Sequence, residues 1–281
     1  MHKVVLFAAS SEFSALIQRA EKLFVSGQVR LVKDEPKTKA GFIYEGQGRV
    51  YFLKRFVPSS WSSALADRLL RGSRAKRSLA GAYLLRANGF SVPAPLAVME
   101  VRKAGLVLCS YLLSEAIDGS YTLSQFIDRT SGPGGISYAR RAQVLHRVAQ
   151  EVRKLHDKGL FTWDLQETNI LLRERAGSLE IYFVDLDGFW RASPRSWRAR
   201  RRNLVQLDRS VGRFMSRAER LRFLRSYLGD QAKRAQLKGI ARKLIAERAR
   251  KERKAARQEK RSREIFFAEA LGNNAFRIGA D

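Results

Sequence analysis

Apolar positions recur with two periods along this chain, one helical and one strand-like, and their alternation predicts its elements. Phe13, Leu16, Ile17 and Phe24 follow helical spacing inside a mixed leader, residues 1–29. Gly48 to Phe56 alternates as a strand and places Lys54 near its end. Ala149 to His156 returns to the helical period, and Lys158-Gly159 supplies a stop signal. Leu160-Phe161 opens a new apolar segment, and Asp164 falls in the loop just after it. Asn169-Ile170-Leu171-Leu172 and Leu179 to Val184 read as two short strands joined by a polar turn with Gly177. The second strand delivers Asp185, so the hairpin brings Asn169 and Asp185 together beside Asp164. Residues 203–229 carry Leu204, Leu207, Val211, Phe214, Leu221, Phe223, Leu224, Tyr227 and Leu228 as a helical core. Gly132-Pro133-Gly134-Gly135 marks a flexible loop between two helices. No internal repeat is visible.

These runs frame a set of polar residues with a specific chemistry. Asp164, Asn169 five residues later and Asp185 sixteen beyond that are what phosphoryl transfer needs. One carboxylate accepts the proton of the attacking hydroxyl. An amide oxygen and a second carboxylate hold the metal that bridges the ATP phosphates. Asp and Asn are common in turns, so one Asp-Leu pair would mean little. The whole spaced set points to an ATP-dependent kinase using magnesium. Asp164 is the expected base, Asn169 and Asp185 the expected magnesium ligands, and Asp187 an expected assistant at the metal. Lys54, about a hundred residues upstream, is expected to meet the α- and β-phosphates, as the small-lobe Lys of kinases does. The turn from Glu35 to Gly41 has a single glycine, Gly41, and is expected to hold phosphates through Lys37 and Lys39. A solvated turn is an equal alternative there. Ser114 to Asp118 is the candidate hinge, where the backbone around Glu115 and Ile117 meets adenine.

Further segments occur in a fixed order with this block: Lys54-Arg55-Phe56, Arg71-Gly72-Ser73-Arg74-Ala75, Gly89 to Ala97 with its Pro93-Ala94-Pro95, and Tyr111 to Glu115. Together they resemble the bacterial lipopolysaccharide kinase family, whose members phosphorylate inner-core heptose or 3-deoxy-manno-octulosonic acid. The similarity covers residues 30 to 230. It implies an α+β, two-lobed, protein-kinase-like fold with a β-rich small lobe and a mainly helical large lobe. It also implies ATP with magnesium and a sugar hydroxyl as acceptor. The chain departs from the kinase pattern in three places. Thr162 and Trp163 stand where protein kinases carry His and Arg, so regulation through a phosphorylated activation loop is not expected. Between Lys54 and Glu100 the only acidic residue is Asp67, which leaves Lys54 without an obvious acidic partner. The phosphate turn is poor in glycine. A kinase for a protein or an aminoglycoside, and a non-catalytic pseudokinase or nucleic-acid-binding scaffold, stay open as alternatives. The intact Asp164, Asn169 and Asp185 weigh against the last.

Composition supports a large bilobal unit: 281 residues, of which 45% are hydrophobic. The expected division is a helical leader (1–29), small lobe (30–113), hinge with large lobe (114–235) and basic helical tail (236–281). The single cysteine, Cys109, lies in an apolar run and reads as a buried thiol. His156, at the end of a helix before Asp164, is expected to brace the catalytic loop. No stretch reaches eighteen apolar residues, and Val4 to Ala9 is too short for a secretory signal. This fits a cytoplasmic protein. The net charge is +27, and residues 190–263 carry +20 of it. Ala232 to Arg263 reads as a long basic helix with a thin apolar stripe at Leu237, Ile240, Leu244 and Ile245. Such a helix suits an anionic membrane surface, where each Lys or Arg contributes about 1 kcal/mol. The expected partners are an anionic lipopolysaccharide core precursor and the inner face of the inner membrane. Nucleic acid is the weaker rival for that charge.

Overall fold

A computed structural model describes residues 1–67, 72–129, 135–212, 214–229 and 234–275. Arg71, residues 132–134 of the expected loop, the junction at 230–233 and the end of the tail at 276–281 lie outside the described residues.

The small lobe is a six-stranded antiparallel sheet in the order β1-β5-β6-β4-β3-β2. Its strands are β1 (His2–Ala8), β2 (Val29–Glu35), β3 (Thr38–Glu45), β4 (Arg49–Phe56), β5 (Pro95–Lys103) and β6 (Leu106–Glu115). Alternation along β4 sends Leu53 to one face and Lys54 and Phe56 to the other. Helices α1 (Ser11–Gln18) and α2 (Ala20–Val25) cover the Leu53 face. Their Leu16, Ile17, Ala20 and Leu23 pack with Ile43, Leu53, Met99, Tyr111 and Leu113. On the opposite face, α4 (Arg74–Ala87) brings Ala75 and Leu79 against Phe56 and Val98. A short helix, α3 (Trp61–Ala66), precedes it. Residues 1–29, expected to be a helical leader, therefore differ from that expectation at the start. Their first segment is an edge strand, with Val4 opposite Glu100 of β5, and their helices form one layer of the small lobe. The run Val4-Val5-Leu6-Phe7 is rich in residues that suit a pleated surface, and β5 offers it a paired edge.

The large lobe is built around α6 (Tyr138–Asp157), with α5 (Leu123–Asp128), α7 (Trp197–Val211) and α8 (Arg217–Leu228). Val144, Val148, Val152 and Leu155 recur at helical spacing on the buried side of α6. Between these helices run the short strands β7 (Tyr121–Thr122), β8 (Leu160–Thr162), β9 (Ile170–Arg175), β10 (Ser178–Phe183) and β11 (Phe189–Arg191). The β9–β10 hairpin pairs Ile170 with Phe183, and Val184 N–H donates to Asn169 O at 3.0 Å. Asn169 and Asp185 thus leave the same open end of one hairpin.

The last helix, α9 (Arg234–Ala275), is continuous over 42 residues. The boundary expected at 236 cuts through it. Leu244 is buried in the large-lobe core, and Leu237, Ile240 and Ala241 pack against that core. Glu247 pairs with Arg201 of α7 at 2.6 Å, and Arg248 reaches Asp208 of α7 at 3.4 Å. A narrow stripe suffices because α7 and α8 form an apolar trough, so few residues of α9 need to be apolar to fill it.

Candidate active site

Asp164 sits in the loop between β8 and β9, half-buried. Its carboxylate accepts from three side-chain amides. Gln206 Nε2 donates to Oδ1 at 2.7 Å, Gln166 Nε2 donates to the same oxygen, and Asn169 Nδ2 donates to Oδ2 at 3.2 Å. Such donors fix the direction of the carboxylate. With its NH2 group turned to Asp164, Asn169 keeps its amide oxygen for another partner.

The loop is held from behind. Asn203 of α7, buried, donates to Thr162 O at 2.6 Å and accepts from Thr162 N–H at 3.3 Å. The same amide oxygen faces His156 Nε2 at 3.2 Å, and His156 Nδ1 meets Tyr227 Oη at 2.9 Å. His156 is fully buried, and burial lowers its pKa from the ordinary 6.5 to about 4. It is therefore neutral near pH 7, a brace that adds no charge. Phe161 stacks on its ring at 5.0 Å.

Asp185 lies at φ 59° and ψ 61°, the left-handed region that L residues rarely enter. Lys54 Nζ approaches its Oδ1 at 3.1 Å across the cleft. This answers the missing acidic partner of Lys54: the partner comes from the large lobe, 131 residues away. Burial pushes the Asp185 carboxyl up, but Lys54 and then Arg74 outweigh it, and the net direction is down. The helix α4 brings cations and no carboxylate to this place. It offers Arg74, which donates to Asp187 Oδ2 at 2.7 Å and to Thr38 Oγ1 at 3.0 Å. Arg77 lies 4.0 Å from the same Asp187 oxygen. Asp187, expected to assist at the metal, is thus tied to α4 by two guanidiniums. It anchors a small-lobe helix to a large-lobe turn.

That contact depends on Gly81. A Cβ there would stand 2.2 Å from Leu186 O, so α4 lies backbone-to-backbone on the turn that carries Asp185.

Other expected residues are placed differently. Gly41 is inside β3, opposite Leu31 and Leu53, and not in the phosphate turn. A Cβ at Gly41 would come within 2.4 Å of Arg30 O, so its bareness serves the close approach of β2. The turn itself is Pro36-Lys37, with Lys37 exposed. Lys39 pairs with Asp34 across the hairpin at 2.9 Å, an exposed ion pair. At the hinge, Glu115 N–H donates to Ala94 O at 2.9 Å, and Ile117 O accepts from Ser120 Oγ at 2.6 Å. Ile117 itself is buried where the small-lobe sheet ends.

The oxygens of Asn169 and Asp185 suit a hard divalent cation. Among the described residues no cluster of three His, Cys, Asp or Glu side chains forms a complete metal cage. That composition fits magnesium carried in with phosphates, which needs only one or two protein oxygens.

Residues 24–227 match the lipopolysaccharide kinase (Kdo/WaaP) family. The chain belongs to this family. Members are phosphotransferases that act on sugar hydroxyls of lipopolysaccharide. A 3-deoxy-D-manno-octulosonic acid kinase of Photobacterium profundum is 31% identical over 126 residues, which is 45% of this chain and 48% of the relative. The chain thus spans about half the length of that relative. One of Haemophilus influenzae is 25% identical over 192 residues, 62% of this chain and 75% of the relative. The solved structure of WaaP in complex with acyl carrier protein superposes with a TM-score of 0.59 at 21% identity. It covers 90% of this chain and 99% of that one, which establishes the two-lobed kinase fold.

Within this site, four residues carry contacts that sequence reasoning did not assign. Gln166 stood inside the motif but has no role in the general kinase pattern. Arg74 lay in the Arg-rich stretch, where nothing linked it to Asp187. Asn203 and Gln206 were hidden in a segment whose visible signal was its apolar core.

Proposed function

We propose that this chain transfers the γ-phosphate of ATP to a sugar hydroxyl of the lipopolysaccharide inner core. The observation that carries this reading is the Asp164 carboxylate, held by three amide donors, beside Asn169 and the Lys54–Asp185 pair. Asp164 accepts the proton of the acceptor hydroxyl as its oxygen attacks phosphorus. Asn169 and Asp185 offer the oxygens that would hold magnesium, which when bound neutralises charge on the phosphates. Lys54 then exchanges part of its contact with Asp185 for the α- and β-phosphates. The hinge from Ser114 to Asp118 receives adenine, and Lys37 lies on the hairpin over the phosphates. Family membership supports the sugar acceptor.

The same reading places the protein on the inner face of the inner membrane, where anionic core precursors lie. No helix among the described residues is long and apolar enough to cross a membrane. The basic end of α9 supplies the attraction.

The deciding experiment is phosphate transfer from γ-labelled ATP to purified inner-core oligosaccharides, with mass spectrometry of the products. A phosphorylated core sugar is expected. Labelling of a protein or an aminoglycoside in place of any core acceptor would reject the reading.

A further inference from the structure

Trp163 directly precedes Asp164, and more than half of its surface is open to solvent (52%). It is the outer member of an aromatic column that starts at the buried His156. Phe161 stacks on His156, Trp190 packs on Phe161 at 5.4 Å, and Trp163 stacks on Trp190 at 5.1 Å. Pairing of β8 with β11 sets this order, since Trp190 stands opposite Phe161. The column ends on a cation. The Arg202 guanidinium carbon lies 3.7 Å from the centre of the Trp163 ring.

Arg202 differs from its neighbours on α7. Arg200 pairs with Asp157 at 2.6 Å and Arg201 with Glu247 at 2.6 Å. Among the described residues no acidic side chain pairs with Arg202. Burial lowers its pKa, with no carboxylate to oppose the shift. The surroundings are also positive. Lys251 of α9 is lowered first by burial and then, against Glu247, by the like charges of Arg202, Arg209 and Arg250. A half-buried guanidinium that is stacked, positioned and uncompensated lacks the anion its chemistry calls for. It also sits one helical turn from Gln206, which holds Asp164, and beside the residue next to Asp164 in the chain.

We propose that Arg202, held on the ring of Trp163, the residue before Asp164, anchors an anionic group of the acceptor, so that the sugar accepted bears a carboxylate or a phosphate. The proposal rests on the sugar-kinase reading above and assigns its acceptor class. Trp163 is then a positioning residue: it orients the planar guanidinium of Arg202. Loss of Arg202 raises the cost of binding the charged sugar and leaves the phosphate-transfer geometry at Asp164, Asn169 and Asp185 in place.

The test uses the full chain with two matched pairs of acceptors. One pair is a 3-deoxy-manno-octulosonic acid glycoside and its carboxyl-reduced form. The other is a heptose glycoside and its phosphomonoester. Arg202→Gln should raise KM for one charged member by about ten- to a hundredfold, far more than it lowers kcat. It should change KM little for the uncharged member of that pair. Arg202→Lys should recover part of the loss. The pair that responds names the anion. An equal change for charged and uncharged members would overturn the proposal, because it would mark a merely structural role. If the wild type phosphorylates none of the four, the core-kinase reading fails, and calorimetric titration of the same four compounds still tests the anchor. Tighter binding of a charged member that is lost in Arg202→Gln upholds it. Equal binding of charged and uncharged members by the wild type overturns it.

Discussion

Asp164 owes its direction to amides that come from three places: Gln166 two residues on, Asn169 in the turn just before β9, and Gln206 on a separate helix. Replacing it by Asn removes the base but keeps the volume. Asp164→Asn should lower kcat by about 10²–10⁴-fold with magnesium-ATP affinity little changed. Steady-state kinetics with calorimetric nucleotide binding checks both halves. His156 permits a prediction about pH. The folded protein refuses the proton down to about pH 4, whereas the unfolded chain accepts it near 6.5. Stability is therefore full above about pH 6.5 and falls as pH drops towards 4, by about 2 kcal/mol at pH 5. The carboxylates with depressed values, Asp185 and Glu219 among them, add their own loss only below the ordinary carboxylate range. Urea unfolding at pH 7.5, 6 and 5 should show the fall in the wild type. His156→Gln should be less stable throughout but flat over that interval.

At the scale of elements, α4 and the Leu186 turn form one unit. Gly81→Ala places a methyl group against a carbonyl oxygen at 2.2 Å, so α4 or the turn must move. The variant should lose roughly 1–3 kcal/mol of stability. It should also weaken magnesium-ATP binding, because Asp185 directly precedes Leu186. Unchanged nucleotide affinity would mean that the contact is only structural. This contact was not legible in the sequence. Between Lys54 and Glu100 the sequence showed only a shortage of acidic residues, and a glycine in that stretch gives no sign of what it touches. The β9–β10 hairpin was legible, because two short apolar runs and a polar turn specify it locally. Lys54 on β4 was legible for the same reason. Its partner was not, since Asp185 lies 131 residues away and reaches it only through the closure of one lobe on the other. Gly41 was misplaced because a lone glycine after a turn looks like turn chemistry, while its actual constraint is the passage of β2. The strand at His2–Ala8 was missed because a six-residue apolar run with no alternation has no period to declare.

On the scale of the whole molecule, charge and packing overlap in α9. Its early turns close the large-lobe core, and its later turns carry charge beyond Glu252. Deleting residues 236–281 should expose the trough formed by Leu204, Leu207, Val211 and Leu224 and lower Tm by several degrees. Deleting residues 253–281 should leave Tm close to wild type but reduce co-sedimentation with anionic vesicles at low salt. Screening within about 8–10 Å should erase the difference at high salt. Equal vesicle binding by the full chain and the shorter truncation would remove the tail from membrane attraction. The Gly81 contact, finally, has a kinematic consequence. Two bodies that touch backbone-to-backbone along one edge turn about that edge, and displacement grows with distance from it. Lys54 and Asp185 lie beside that edge, so a rotation about it changes their separation little. Trp163 and Arg202 both belong to the large lobe, so the face they form keeps its shape in such a rotation. An acceptor held at that face, as proposed above, is then untouched by a rotation that opens the cleft between the lobes.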